Sequence, residues 1–181
     1  MELSQREIRG LLVETLERFV GQPLINVCGN QFSWYYDIGE REVLTDEDEY
    51  PDFGVSAGWH HFFFHGYSPL VSGKRATEDA RAWGHLNRLV DERKIIVERV
   101  QVDDDLTLSI WFSCGYQLRI PTLLLRSGTG SSWLYVVRRA DDNIWVEATR
   151  NRIVLRMEHK ERGRRPRRIR REATAALPEY T

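Results

Sequence analysis

Apolar residues recur at helical spacing most clearly near the start of the chain. Ile8, Leu11, Leu12, Leu16, Phe19 and Val20 fall on one face, with Glu14, Glu17 and Arg18 elsewhere. Ser4 and Glu7 stand three apart, the spacing at which each side chain satisfies an orphan backbone donor of the first turn. Gly21 and Pro23 supply a stop signal. This pattern predicts a helix over 4–20. A second helix is predicted over 77–91, with Ala80, Trp83, Leu86, Leu89 and Val90 on a broad face and Gly84 weakening it.

Elsewhere the period is two. Residues 24–28 are short and apolar, and 31–38 are aromatic-rich, which suits a pleated surface, with Gly39 to break the run. Residues 53–58 carry no clear period, 59–65 read as strand and 66–73 as loop. From 94 to 148 strand signals dominate. Ile96, Val100 and Val102 lead to an Asp103-Asp104-Asp105 turn; Leu106, Leu108, Ile110 and Phe112 then alternate with Thr107, Ser109, Trp111 and Ser113. Tyr116, Leu118 and Ile120 alternate again, 127–132 (SGTGSS) read as loop, and 133–137 and 144–148 flank a turn at Asp141-Asp142-Asn143. An antiparallel meander follows.

The expected fold is therefore α+β, with both helices packed on an antiparallel meander, because one apolar helix stripe and one apolar sheet face bury economically against each other. The expected core is Ile8, Leu12, Leu16, Phe19, Leu108, Ile110, Phe112, Leu118, Val136 and Val146. The pattern also admits an internal duplication of helix-plus-meander halves, 1–73 and 74–150. FSWYYDIG at 32–39 aligns with LSIWFSCG at 108–115, and WHHFFF at 59 with WLYVV at 133. The competing reading is that any two hairpins share alternation and a turn glycine.

Composition narrows the class. The chain has 181 residues, 41% of them hydrophobic and 29% charged, a globular profile rather than a disordered one. No apolar run approaches a membrane span, and the N-terminus has no apolar segment of the secretory kind. Two cysteines make no disulfide framework, so a cytoplasmic location is expected. The net charge of -1 hides a division: 1–150 form an acidic body (-7), and 151–181 a basic tail (+6), expected to be flexible.

Catalytic signatures are mostly missing. There is no phosphate-binding glycine loop and no CxxC pair, and Cys28 and Cys114 read as structural. His60, His61 and His65 are the candidates for metal binding or proton transfer. On one strand His61 and His65 lie about 13 Å apart, too far to share an ion without a bend. No catalytic residue, cofactor or metal is assigned.

Two charged segments carry the functional expectation. Asp46, Glu47, Asp48, Glu49 and Asp52 surround Tyr50 and Pro51 without the spacing of a calcium-binding EF-hand loop. They suit a surface that meets a basic protein, with Tyr50 as an anchor. In the tail, Lys160, Arg162, Arg164, Arg165, Arg167, Arg168, Arg170 and Arg171 make eight basic residues in twelve, a pattern that binds phosphates without sequence preference.

The stretch 95–146, which pairs LTLSIWFSCGYQLRI with SSWLYVVRRADDNIWVEA (the latter running on to Ala148), resembles small β-rich bacterial domains among the immunity proteins of polymorphic toxin systems. The resemblance covers about a third of the chain and carries over no binding residue. It implies a cytoplasmic, non-enzymatic protein that neutralises a toxin by binding it. The alternatives are a nucleic-acid-associated protein using its arginine-rich tail, and a metal-dependent enzyme using the three histidines.

Overall fold

The computed structural model describes residues 4–29, 34–39, 54–57, 62–66, 68–71, 80–92, 94–121, 132–139, 142–148, 152–160 and 168–176. Helix α1 (Gln5–Glu17) starts at the Ser4 cap, where Glu7 N donates to Ser4 Oγ and the Glu7 carboxylate accepts from Ser4 N, completing the reciprocal cap. The exposed Glu7 carboxyl is held below its usual range by the Ser4 hydroxyl and backbone. Helix α2 (Ala80–Asp91) is the other α-helix among the described residues, and neither is long and apolar enough to cross a membrane.

Twelve strands make up most of the rest of the described residues. In chain order they are β1 (Leu24–Gly29), β2 (Trp34–Ile38), β3 (Gly54–Ala57), β4 (Phe62–His65), β5 (Ser68–Val71), β6 (Val97–Val102), β7 (Leu108–Phe112), β8 (Tyr116–Ile120), β9 (Ser132–Arg139), β10 (Asp142–Ala148), β11 (Arg152–Lys160) and β12 (Arg168–Ala176). They form two antiparallel sheets, one of seven strands in the order β1-β2-β3-β9-β10-β11-β12 and one of five in the order β5-β4-β8-β7-β6.

The expected α+β arrangement, two helices on one meander, is thus incorrect: the described residues are mostly strand, in two antiparallel sheets. The meander of β6, β7 and β8 ends there, and β9 pairs with β3 in the other sheet. With apolar faces on so many strands, the sheets bury much of that surface against each other. The rings of Tyr36 (β2) and Phe63 (β4) stack between them at 5.7 Å, and the Tyr135 hydroxyl of β9 donates to Leu106 O, just before β7, at 2.9 Å. Helix α1 adds Ile8, Leu12 and Leu16 to the same core, all fully buried.

Nor do 1–73 and 74–150 form two self-contained helix-plus-meander halves. They interlock. Strands β4 and β5 extend the β6-β7-β8 meander, while β9 and β10 extend β1-β2-β3. The backbone pairing nevertheless repeats. Pro23 and Ile96 bridge the starts of β1 and β6, where Leu24 N donates to Ile95 O (2.8 Å) and Val97 N to Gln22 O (2.9 Å). Adding 73 to one set of residue numbers gives the other. An extra residue follows the first pair in both hairpins, Ile25 in β1 and Glu98 in β6. Val55 faces Val137 as Leu118 faces Phe63, and Phe63 and Val137 stand 74 apart.

Residues 152–160 and 168–176, expected within a flexible tail, are two nine-residue strands in nine-pair antiparallel register, and Leu155 of β11 is fully buried. Every expected core residue is buried. Val136, however, lies on the opposite face of β9 from Tyr135 and Val137 and is not part of the main core cluster.

Candidate functional site

The outer face of the seven-stranded sheet carries a polar row. Asn26, Asp37, Gly54, Arg138, Asn143, Glu158 and Arg170 are successive cross-strand partners from β1 to β12. Residues directly opposite share a face, here the one opposite Tyr36 and Val137. Asp37 (2% exposed), Arg138 (6%) and Glu158 (3%) are buried.

Asp37 and Arg138 belong to strands separated by β3. Arg138 Nη2 still reaches Asp37 Oδ1 at 2.5 Å, because Gly54 between them has no side chain. A Cβ at Gly54 would lie 2.4 Å from Tyr36 O and 2.7 Å from Arg138 Nη2, and its φ of +144° disfavours any other residue. The second carboxylate oxygen of Asp37 accepts from Asn26 Nδ2 at 2.8 Å. Two oxygens are thus held by two donors, the condition under which a buried ion pair is tolerated. Further along the same face, Arg156 Nη1 donates to Glu147 Oε1 at 2.8 Å. The arginines and carboxylates of these two pairs neutralise each other.

Cys28, on this face at the β1 edge, is an exposed free thiol. Partial burial of its sulfur pushes its pKa up and the Asp37 charge adds to this, against the Asn26 contact at 3.6 Å and Arg138. That is the reverse of the activation a nucleophilic cysteine needs. Cys114 is also free, on a left-handed turn with φ of 62° between β7 and β8.

Asp46, Glu47, Asp48, Glu49, Tyr50 and Asp52 lie outside the described residues, as do His60 and His61 and Arg162, Arg164, Arg165 and Arg167. His65 ends β4, exposed, its ring stacked on Tyr116 with centroids 4.6 Å apart. Burial raises the Tyr116 hydroxyl above its ordinary pKa. The described residues contain no group of three or more His, Cys, Asp or Glu placed to hold a metal ion. Arg168, Arg170 and Arg171 fall in β12, opposite Lys160, Glu158 and Met157.

Topology relates the two charged segments. Strand β2 ends and β3 begins at the same end of the seven-stranded sheet at which β11 ends and β12 begins, as the register of Asp37, Gly54, Arg138, Glu158 and Arg170 requires. Residues 46–52 belong to the connection 39–53 between the first pair of strands, and 161–167 connect the second. Sequence reasoning missed the polar row of Asn26, Asp37, Gly54, Arg138, Asn143, Glu158 and Arg170. The available signals were a lone carboxylate, Asp37, inside the aromatic run WYYDI and an arginine directly after Val136-Val137.

Comparison with protein-family models, curated proteins and solved structures gives no match for this chain.

Proposed function

We propose that this chain is a non-enzymatic protein-binding module of the immunity or antitoxin type, acting in the cytoplasm. It neutralises or regulates a basic partner protein through Asp46, Glu47, Asp48, Glu49, Tyr50 and Asp52. The observation that supports this is the position of the anchors: the connection that contains the acidic residues follows β2, just past Asp37, and ends at Gly54, the register partner of Asp37. There the buried charges of Asp37 and Arg138 already hold each other. The acidic side chains are therefore not required to neutralise that pair, and clustered charge of one sign speeds and selects the encounter with an opposite partner.

Co-expression with the product of the adjacent gene, followed by pull-down, tests this reading. Reversing Asp46, Glu47, Asp48 and Glu49 to Lys abolishes capture if the segment is the contact. Unchanged capture assigns the interface elsewhere. If the segment instead pairs with Arg162, Arg164, Arg165 and Arg167, neutralising those arginines strengthens partner binding at low salt and has little effect at high salt.

The nucleic-acid reading is favoured by one observation of its own. The basic residues 161–167 connect β11 and β12, the last two strands of the seven-stranded sheet, and the basic run continues into the edge strand β12 with Arg168, Arg170 and Arg171, a concentration of charge suited to phosphates. It predicts sequence-indifferent, steeply salt-dependent binding that is lost when the four arginines are neutralised.

A further inference from the structure

The outer face of the five-stranded sheet carries a different chemistry. Two cross-strand rows cross it. Arg99, Trp111, Gln117 and Phe64 are successive register partners from β6 to β4, and Gln101, Ser109, Arg119 and Phe62 form the next row. Arg99 lies flat enough over Trp111 to put its guanidinium carbon 3.7 Å from the ring centroid. Arg99, Gln101 and Arg119 are exposed, and Trp111 and Gln117 are half-buried.

Neither row contains a carboxylate, and among the described residues neither Arg99 nor Arg119 is ion-paired. Two acids stand at the margin: Glu98 is the extra residue of the β6 bulge, and Asp103 accepts from Gln101 Nε2 at 2.6 Å. This face, cationic among the described residues, sits in the part of the chain whose net charge is -7. On the seven-stranded sheet, by contrast, Arg138 and Arg156 are each held by a carboxylate.

We propose that this face is a stacking platform for single-stranded nucleic acid. A guanidinium laid on an indole offers a planar cation on which an unpaired base stacks. Arg119, one row away, meets a backbone phosphate, and Gln117 supplies an amide for base edges. A duplex keeps its bases stacked and cannot use the platform. The site differs from the basic segment 161–167, which offers charge without aromatic surface.

The test is fluorescence anisotropy of the full chain with a labelled 12-nucleotide oligo-dT and oligo-U, at two salt concentrations, beside a duplex of the same length. The single strands bind more tightly than the duplex. Trp111→Ala weakens them on the order of tenfold, and Trp111→Phe much less. Arg99→Lys, which keeps the charge but loses the plane, weakens binding without changing the salt dependence. Arg119→Gln lowers the salt slope by about one. Circular dichroism shows each variant folded.

Equal affinity for single strand and duplex, no binding at low salt, or insensitivity to Trp111→Ala and Arg99→Lys alike overturns the proposal. So does loss of binding confined to neutralisation of Arg162, Arg164, Arg165 and Arg167, which places the contact on the basic segment. Poly-glutamate bound with the same dependence on Trp111 also overturns it, since the face then recognises acidic protein.

Discussion

The two sheets repeat one pattern of backbone pairing and solve the chemistry of their outer faces in opposite ways. Asn26, Asp37, Gly54 and Arg138 occupy in the seven-stranded sheet the positions that Arg99, Trp111, Gln117 and Phe64 occupy in the five-stranded one. The first cross-strand pair is a hydrogen bond from Asn26 to Asp37 in one case and a guanidinium over Trp111 in the other. In the first sheet the third position is glycine, so Arg138 crosses β3 and the charges close on themselves. In the second, Gln117 fills that position and the arginines stay exposed. The core-facing side chains set which strands form and how they alternate. The outward side chains are free to make one face self-satisfied and leave the other available.

Breaking the closed pair has the largest expected effect. Asp37→Ala leaves the Arg138 guanidinium buried without its carboxylate and lowers stability by about 3–5 kcal/mol, read as a lower urea midpoint. Asp37→Leu combined with Arg138→Met recovers most of that loss, because neither charge of the pair is left buried without the other. At the matching position, Trp111→Ala removes a half-buried ring and loses less. A greater loss at Trp111 than at Asp37 reverses the contrast between the sheets.

Next comes the gap that lets Arg138 through. Gly54→Ala forces a Cβ against Tyr36 O at a backbone angle glycine tolerates best, for a loss of about 1–3 kcal/mol. Gln117→Ala, its counterpart, stays within about 0.5 kcal/mol. Equal thermal midpoints for the two variants would show that the third position of the row is not decisive.

Tyr135 ties the sheets together, and full burial pushes its hydroxyl far above the ordinary value. The unfolded chain loses this proton near pH 10, whereas the folded chain keeps it. The unfolded state then binds fewer protons, so stability is fully present below about pH 10 and falls by about 1.4 kcal/mol per pH unit above it. In Tyr135→Phe this part of the alkaline slope disappears from urea titrations run between pH 9 and 11. An unchanged slope assigns it to other groups.

Among the named contacts, the smallest effect belongs to the exposed pair. Arg99→Ala removes a surface cation–π contact and costs about 0.5–1 kcal/mol, measurable as a small drop in thermal midpoint. A loss as large as that of Asp37→Ala would mean that Arg99 is a structural element of the sheet, and the platform would lose its exposed cation.

Local signals were legible wherever one stretch of chain decides its own conformation. The Ser4–Glu7 cap and the stripe from Ile8 to Phe19 specify α1, although it ends at Glu17, short of the expected Val20. Alternation located β7 and β8, and 144–148 fall within β10. The hairpin turn is tighter than the Asp141–Asn143 expectation, since Asp142 already pairs with Arg139. Strand β11 was readable from Ile153, Leu155 and Met157 but was obscured by the surrounding charge. Strand β12, RIRREATAA, has almost no strand signal and is defined by its register against β11.

What the amino-acid sequence determined by itself, then, is the capped helix, the faces of the alternating strands and the separation of acidic from basic segments, because each depends on neighbours a few positions apart. Tertiary structure alone decided that β9 joins β3 and β4 joins β8, and that Arg138 meets Asp37 from 101 positions away. A period of two states which side of a strand is apolar and says nothing about its partner. That choice is made when distant strands close together and their faces must fill one core while the charges on the other side find, or fail to find, each other.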